Sequence, residues 1–288
     1  MPNSPHAPSS PLVVHTQGEL DAWRANASGP VAFIPTMGAL HDGHVSLART
    51  ARGLAQHVVV SIFVNPRQFG TGEDFERYPR TLESDVRALS GVADVVFAPS
   101  VDDVYPPGLD LRAFDAGAVG SQFEGAARPG HFDGMLAVVA RLFDMVRPDV
   151  TVFGQKDAQQ VFLVRRLIAA HYPKLNLMVA PTVRDPDGLA MSSRNRYLSP
   201  ADRVHALALS RAMALATENP IASLPRMRAV LEAEPGVALD YLAAVNPSDF
   251  TPIAELGDAT SIGDVTYIVA ARVGSTRLLD TVDVFSSK

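Results

Sequence analysis

From residue 31 to residue 180, short valine- and isoleucine-rich runs alternate with longer segments whose apolar residues recur at helical spacing. The runs predict strands at residues 31–35, 57–64, 92–98, 150–153 and 175–180, and the longer segments predict helices at residues 45–55, 82–89, 135–146 and 159–170. Several of the strands are apolar on both faces, which is typical of a parallel sheet covered by helices. The pattern therefore predicts an α/β fold, a doubly wound parallel sheet whose ligand crevice lies at the carboxyl ends of the strands.

A turn-forming cluster, RDPDG at residues 184–188, ends this pattern and begins a second region. Ser199 precedes Pro200 and is followed by Asp202, which predicts a capped, Ala/Leu-rich helix to about residue 217. A short helix at residues 226–233 and two β runs, at residues 239–245 and 265–273, follow it. We therefore expect a flexible tail at residues 1–11, a larger domain at residues 12–183 and a smaller α+β domain at residues 184–288.

Composition excludes several classes of protein. The 288-residue chain is 47% hydrophobic and 19% charged, as expected of a folded, enzyme-sized protein. It has no cysteine, which excludes disulfides, thiolate metal sites and a cysteine nucleophile. The net charge of −6 favours neither nucleic acid nor an anionic membrane as a partner. Because there is neither a signal-peptide pattern nor an apolar run of ~18 residues, we expect a cytoplasmic protein.

Two histidines follow the first predicted strand, in the segment PTMGALHDGH at residues 35–44. His41 and His44 lie at a strand-to-helix turn, where backbone N–H groups and the helix dipole favour an anion such as phosphate. Gly38 and Gly43 permit the backbone to approach a ligand closely. An ordinary turn with surface histidines is the alternative, and a zinc site would need a third ligand that the spacing does not supply.

Three further loops carry polar groups. FVNPRQF at residues 63–69 contains Asn65 and Gln68, which suit hydroxyls and carboxylates or belong to an ordinary polar loop. FGQKDAQQ at residues 153–160 contains Lys156, one of three lysines, which suits a phosphate or is a solvated lysine at a helix start. GLAMSSRN at residues 188–195 offers two hydroxyls and Arg194, which either clamp phosphate oxygens or cap a surface loop. Together the four loops favour a phosphate-bearing ligand.

These segments, with RPGHF at residues 128–132, closely resemble the pantoate–β-alanine ligase family, and the resemblance extends from about Val31 to the ARVGSTRL segment at residues 271–278. It implies a Rossmann-like ATP-binding domain of the nucleotidyltransferase superfamily and a cytoplasmic homodimer that uses ATP and Mg²⁺. It also implies the condensation of pantoate with β-alanine to pantothenate through a pantoyl adenylate, with release of pyrophosphate and AMP.

The resemblance also implies roles for individual residues. The ATP-binding positions are Met37, His41, His44, Gly154, Lys156, Asp157, Val183, Met191, Ser192, Ser193 and Arg194. Those that hold the phosphates, and so are the predicted catalytic residues, are His41, His44, Lys156, Ser192, Ser193 and Arg194. The pantoate-binding positions are Pro35, Met37, Gln68, Val138, Val139 and Gln160, and Asn65 lies near the approach of β-alanine. No protein ligand is assigned to Mg²⁺, which the ATP phosphates would hold.

The chain departs from the family at a few positions and leaves other functions to be weighed. It has Gln155 and Ala158 where Glu and Tyr are common, and Asn246 where Asp is frequent. A nucleotidylyltransferase that retains the nucleotide on its product is one alternative, and the Gln68 and Gln160 pattern argues against it. A tRNA-charging enzyme is disfavoured by the net charge. A non-catalytic nucleotide sensor would bind ATP without releasing AMP.

Overall fold

The computed structural model describes residues 10–70, 75–109, 114–217, 219–253 and 263–286. Contacts divide the chain into two compact units. The first contains the described residues up to Phe153 together with Leu163–Ala180, and the second contains Gly154–Phe162 and the described residues from Pro181 onward. The domain limits predicted from the sequence stay a prediction, and residues 1–9 of the expected tail lie outside the described residues.

The first unit is built on a six-stranded parallel sheet. Its strands are β1 (Leu12–Val14), β2 (Val31–Thr36), β3 (His57–Ile62), β4 (Val95–Phe97), β5 (Val150–Gly154) and β6 (Asn176–Ala180). The order across the sheet is β1-β4-β3-β2-β5-β6. Strands β3 and β4 therefore lie on one side of β2 and strands β5 and β6 on the other, so the strand order reverses between β2 and β5. Ligands bind at such a switch point in open α/β sheets. The five predicted strands are confirmed with shifted ends, whereas β1 was not predicted because three residues carry no periodicity.

Helices cover both faces of this sheet, which confirms the doubly wound, Rossmann-like prediction. They are α1 (Gln17–Asn26), α2 (Asp42–Arg52), α3 (Leu82–Ala88), α4 (Val101–Val104), α5 (Gly117–Gly120), α6 (Glu124–Ala127), α7 (His131–Val146) and α8 (Ala158–His171), the last beginning in the second unit. On β2, Ile34 packs with Ala48 of α2 in one core. The neighbouring Phe33 points to the other face, where its ring lies 6.2 Å from that of Phe143 in α7. Alternate side chains of one strand therefore enter two different cores.

Helices α2 and α7 begin earlier than the sequence predicts. Helix α2 begins at Asp42 rather than residue 45, because His41 caps it, and His44 therefore lies in its first turn. Helix α7 begins at His131 rather than residue 135. Thr81 directly precedes α3 and makes no capping hydrogen bond, and its hydroxyl donates to the Asp85 carboxylate. Helix α1 was not predicted.

The second unit is a smaller α+β arrangement, as predicted. Its antiparallel sheet has the order β7 (Val237–Val245), β8 (Val265–Val273) and β9 (Thr276–Val284), and its helices are α9 (Pro200–Met213) and α10 (Pro220–Glu232). These elements share one apolar core. Ser199 caps α9 by accepting the N–H of Asp202 at 3.1 Å, as predicted. In the described part of the chain, no helix combines the length and apolar character that a membrane span requires.

Three details of the second unit correct the sequence prediction. Helix α9 ends at Met213, not near residue 217. Helix α10 begins at Pro220 rather than residue 226, because Asn219 caps it by accepting the N–H of Ala222. Strand β9 was not predicted, although Gly274, with a φ of +56°, starts the two-residue turn that joins it to β8. Such a turn between two β runs is a hairpin signal.

Candidate active site

The turn after β2 presents two imidazoles whose hydrogen bonds determine which ring nitrogen carries hydrogen. Nδ1 of His41 accepts the N–H of Gly43 at 3.2 Å, and Nδ1 of His44 accepts the N–H of His41 at 3.4 Å. The ring centroids are 4.1 Å apart. A ring nitrogen that accepts a hydrogen bond carries no hydrogen atom. In both imidazoles the hydrogen atom is therefore on Nε2. Each imidazole thus presents an N–H donor on Nε2, a group that suits a phosphate oxygen.

The backbone of this turn is held by a carboxylate that the sequence analysis did not identify. Asp85 of α3 is 2% exposed, and its oxygens accept the N–H groups of Ala39 and Leu40 at 3.0 and 2.9 Å. Gly38, with a φ of +78°, is also required here, since a Cβ on it would lie 2.9 Å from Cγ2 of Ile62. Gly38 thus permits close approach of protein atoms, in addition to the ligand approach expected from the sequence.

The loop after β3, the neighbouring strand, orients the Gln68 side chain. Asn65 donates from Nδ2 to Oε1 of Gln68 at 3.2 Å and to the carbonyl of Gly134 at 3.1 Å, while its Oδ1 accepts from the Tyr105 hydroxyl at 3.0 Å. Burial raises the pKa of Tyr105 to about 12, so its hydroxyl remains a donor at neutral pH. With Oε1 engaged, the Gln68 amide directs its NH₂ group toward Sδ of Met37, 3.0 Å away. A donor suited to a carboxylate or hydroxyl results.

The RPGHF segment, to which the sequence analysis assigned no role, holds the backbone of the same glutamine. Nδ1 of His131 lies 2.8 Å from the carbonyl oxygen of Gln68, and Nη2 of Arg128 donates to that oxygen at 3.3 Å. A carbonyl only accepts, so Nδ1 of His131 carries hydrogen and Nε2 accepts from Nη1 of Arg128 at 3.1 Å. Helix α7 also packs directly on this loop, since a Cβ on Gly134 would lie 2.0 Å from the Arg67 carbonyl oxygen.

The remaining predicted pantoate residues of the first unit differ in exposure. Pro35 and Met37, at the end of β2, are half-buried. Val138 and Val139 are buried in α7, with 5% and 3% of their surface exposed. The structure thus brings Met37 against Gln68 and places the two valines in the core of the same unit.

In the second unit, Lys156 lies beside the loop at residues 188–195, called the serine loop here because it contains Ser192 and Ser193. Its Nζ donates to the carbonyl of Met191 at 3.1 Å, and its own carbonyl accepts from the Thr281 hydroxyl of β9 at 2.8 Å. The residue after Met191 is Ser192, whose Oγ accepts the N–H of Arg194 at 3.2 Å and opens the 3₁₀ turn Ser193–Tyr197. The ammonium and the Ser-Ser-Arg run, predicted from separate segments, therefore belong to one neighbourhood.

Polar contacts hold the chain where it enters the serine loop. Val183 accepts the N–H of Met191 at 2.9 Å. Next to Val183, the Arg184 guanidinium donates to both oxygens of Asp280, at 2.6 and 2.9 Å, and Asp280 is 1% exposed. Neither Asp280 nor Thr281 was identified from the sequence, because both lie on the strand that was not predicted. Of the other predicted positions, Gly154 and Gln160 are half-buried and Asp157 is exposed.

Each unit thus carries groups that suit a nucleotide. The first is a doubly wound sheet with a histidine-capped helix at its switch point, and the second presents a lysine and a Ser-Ser-Arg loop. A doubly wound fold and side chains that suit phosphate are typical of enzymes that activate a substrate with ATP.

Comparisons identify the family. The model of the pantoate-beta-alanine ligase family matches residues 12–283. The pantothenate synthetase of Acidothermus cellulolyticus is 51% identical over 279 residues, covering 94% of this chain and 91% of that protein, and that of Leifsonia xyli subsp. xyli is 54% identical over 254 residues, covering 87% of each.

Solved structures agree. A pantothenate synthetase from Thermus thermophilus superposes with a TM-score of 0.85 at 42% identity, covering 94% of this chain and 98% of that one. A Francisella tularensis pantoate-beta-alanine ligase, complexed with beta-gamma ATP and beta-alanine, superposes with a TM-score of 0.77 at 32% identity. The match covers 94% of this chain and 97% of that one. The chain belongs to the pantoate–β-alanine ligase family, and it is an ATP-dependent ligase that joins pantoate to β-alanine.

Proposed function

We propose that this chain makes pantothenate in two steps. The pantoate carboxylate attacks the α-phosphorus of ATP, which forms pantoyl adenylate and expels pyrophosphate. The amine of β-alanine then attacks the acyl carbon and expels AMP. Both steps build negative charge on phosphate oxygens, which fixed donors and cations stabilise. The observation that carries the proposal is the pair of imidazoles at the switch point, both of which hold their hydrogen on Nε2.

The proposed roles follow from the chemistry of each side chain. His41 and His44 donate N–H to the ATP phosphates. The remaining phosphate-binding residues are Lys156, Ser192, Ser193 and Arg194, and the adenosine-binding residues are Gly154, Asp157, Val183 and Met191. No protein nucleophile is required, because alignment of bound reactants itself supplies several kcal/mol.

Pantoate is assigned to two glutamines and an apolar surface. Gln68 offers the NH₂ group that Asn65 orients, which suits the carboxylate or hydroxyls of pantoate. Gln160 is the second polar contact, and the methyl groups of pantoate face the apolar residues Pro35, Met37, Val138 and Val139. Asn65 lies near the approach of β-alanine.

Mg²⁺ is proposed to arrive with ATP as part of the substrate. Among the described residues, no three His, Asp or Glu side chains converge on a point where a metal ion could sit. Mg²⁺ commonly keeps several waters and binds substrate phosphates rather than an all-protein cage. The N–H donors and cations of this chain fit phosphate oxygens, so the ion would offset phosphate charge while the nucleotide holds it.

The stepwise mechanism predicts that pyrophosphate exchanges into ATP when pantoate is present and β-alanine is absent. The adenylate forms before the amine is needed, so labelled pyrophosphate should appear in ATP, and AMP should accumulate in proportion to pantothenate once β-alanine is added. Omitting pantoate is the control. Exchange that demands β-alanine would show that the reaction is not stepwise, and ATP binding without AMP release would favour a sensor.

We also propose that the protein acts in the cytoplasm as a homodimer, as its family resemblance implies. Sedimentation velocity at assay concentration should therefore give a species of twice the chain mass. An active-enzyme sedimentation run checks that this species carries the activity. A fully active monomer would refute the dimer.

A further inference from the structure

We infer that Asp85 is a positioning residue for adenylate formation, because it holds the turn that aims His41 and His44. The inference rests on the phosphate-binding role proposed above for the two histidines. Asp85 lies in α3, outside the motif segments, and we infer that it fixes the geometry of the histidine turn, the turn after β2 that carries His41 and His44.

Both oxygens of the carboxylate are committed to the turn. Oδ2 accepts the N–H of Ala39 at 3.0 Å and Oδ1 accepts the N–H of Leu40 at 2.9 Å, while the Thr81 hydroxyl lies 3.2 Å from each oxygen. These three groups are neutral donors. A buried carboxylate must be satisfied by hydrogen bonds, so its position and that of the turn depend on each other.

The turn requires such a restraint. Gly38 and Ala39 both have positive φ, +78° and +50°, and the second is a non-glycine residue in the left-handed region. Backbone in that region persists only where its surroundings hold it. Leu40 directly precedes His41, whose Nδ1 caps α2 and whose N–H is bonded to His44. A shift of residues 39 and 40 would therefore move both imidazoles together.

A second carboxylate of the same unit provides a matched control. Asp94 also accepts a backbone N–H, that of Val58 at 2.7 Å, and pairs with Arg52 at 2.8 Å. Val58 lies at the start of β3, whereas Gly38 lies beside Ile62 at the end of that strand. Asp94 thus restrains the backbone at the amino end of β3, away from the turn that carries His41 and His44.

Asp85→Asn tests the inference, because it keeps the size of the side chain but turns one acceptor into a donor that faces a backbone N–H. Pyrophosphate exchange should fall by about 10²-fold, the loss that a misplacement of 1 Å can cause. Reaction of supplied pantoyl adenylate with β-alanine should be largely retained. In ¹⁵N-histidine-labelled protein, the imidazole signals of His41 and His44, assigned with single His→Gln variants, should shift. Asp94→Asn should change neither exchange nor these signals.

The outcomes separate the inference from the function on which it rests. If the wild-type enzyme shows no pantoate-dependent exchange, the proposed function fails, whereas the imidazole signals still report on Asp85. Unchanged imidazole signals in Asp85→Asn, or equal losses in both half-reactions, would overturn the inference. If Asp85→Asn does not fold, Thr81→Val removes only one hydroxyl from the carboxylate, and it should produce a smaller shift and a smaller exchange defect. No shift in that variant would also overturn it.

Discussion

Replacing Lys156 by alanine should lower the rate of pyrophosphate exchange by about 10²–10³-fold, the usual effect of removing one preorganised donor from a site of developing charge. The ammonium lies 3.1 Å from the Met191 carbonyl, next to Ser192, so its loss removes a cation beside the serine loop. The main-chain bond from Thr281 to the Lys156 carbonyl does not involve the side chain. The variant should therefore fold.

Single-turnover kinetics of the two half-reactions check this prediction. Adenylate formation should carry the defect, and reaction of supplied pantoyl adenylate with β-alanine should be largely spared, because pyrophosphate has already left. Lys156→Arg should restore only part of the rate, since a planar guanidinium replaces a compact ammonium.

Lys174→Ala is the matched control, because Lys174 is exposed between α8 and β6. It should behave as an ordinary surface substitution, with a change in stability within ~0.5 kcal/mol and unaltered kinetics. Circular dichroism confirms the fold of each variant. Equal losses in both half-reactions of Lys156→Ala, or none in the first, would show that the lysine does not act on pyrophosphate.

His41→Asn and His41→Gln should separate the two tasks of one imidazole. Asparagine places an acceptor near the position of Nδ1 and is among the best N-cap residues, so His41→Asn should keep the thermal stability while exchange falls about 10²–10³-fold for want of the Nε2 donor. Glutamine places an N–H near Nε2 but does not replace the Nδ1 acceptor. His41→Gln should keep more exchange activity and lose about 1 kcal/mol of stability.

Thermal unfolding and pyrophosphate exchange, measured on the same preparations, give the two readouts. The prediction depends on the opposite ranking of the two variants, so the absolute losses matter less than their order. Full exchange activity in His41→Asn would mean that the imidazole serves only as a helix cap. A loss of activity in both variants that follows their loss of stability would lead to the same conclusion.

The strands that were predicted and those that were missed differ in how their apolar residues are arranged. β2 and β3 are buried on both faces between two layers of helices, so valine and isoleucine runs identify them. β9 contains Asp280 and Asp283, and these two aspartates give the segment a polar sequence pattern that does not indicate a buried strand. Asp280 is nevertheless buried, because Arg184 neutralises it from another part of the chain. A charge that is paired in the folded state looks like a surface charge in the sequence.

The orientation of the loop side chains also depends on contacts between residues that are far apart in the sequence. Residue types and local turns indicate a phosphate ligand, because histidines, a lysine, serines and an arginine follow strand ends or turns in segments that can be read one at a time. How these side chains are aimed depends on contacts between distant residues: Asp85 binds the turn 46 residues earlier, His131 holds Gln68 across 63 residues and Thr281 holds Lys156 across 125. Such pairs meet only after the sheet and helices have packed, so local patterns predict which groups act, and packing decides where they point.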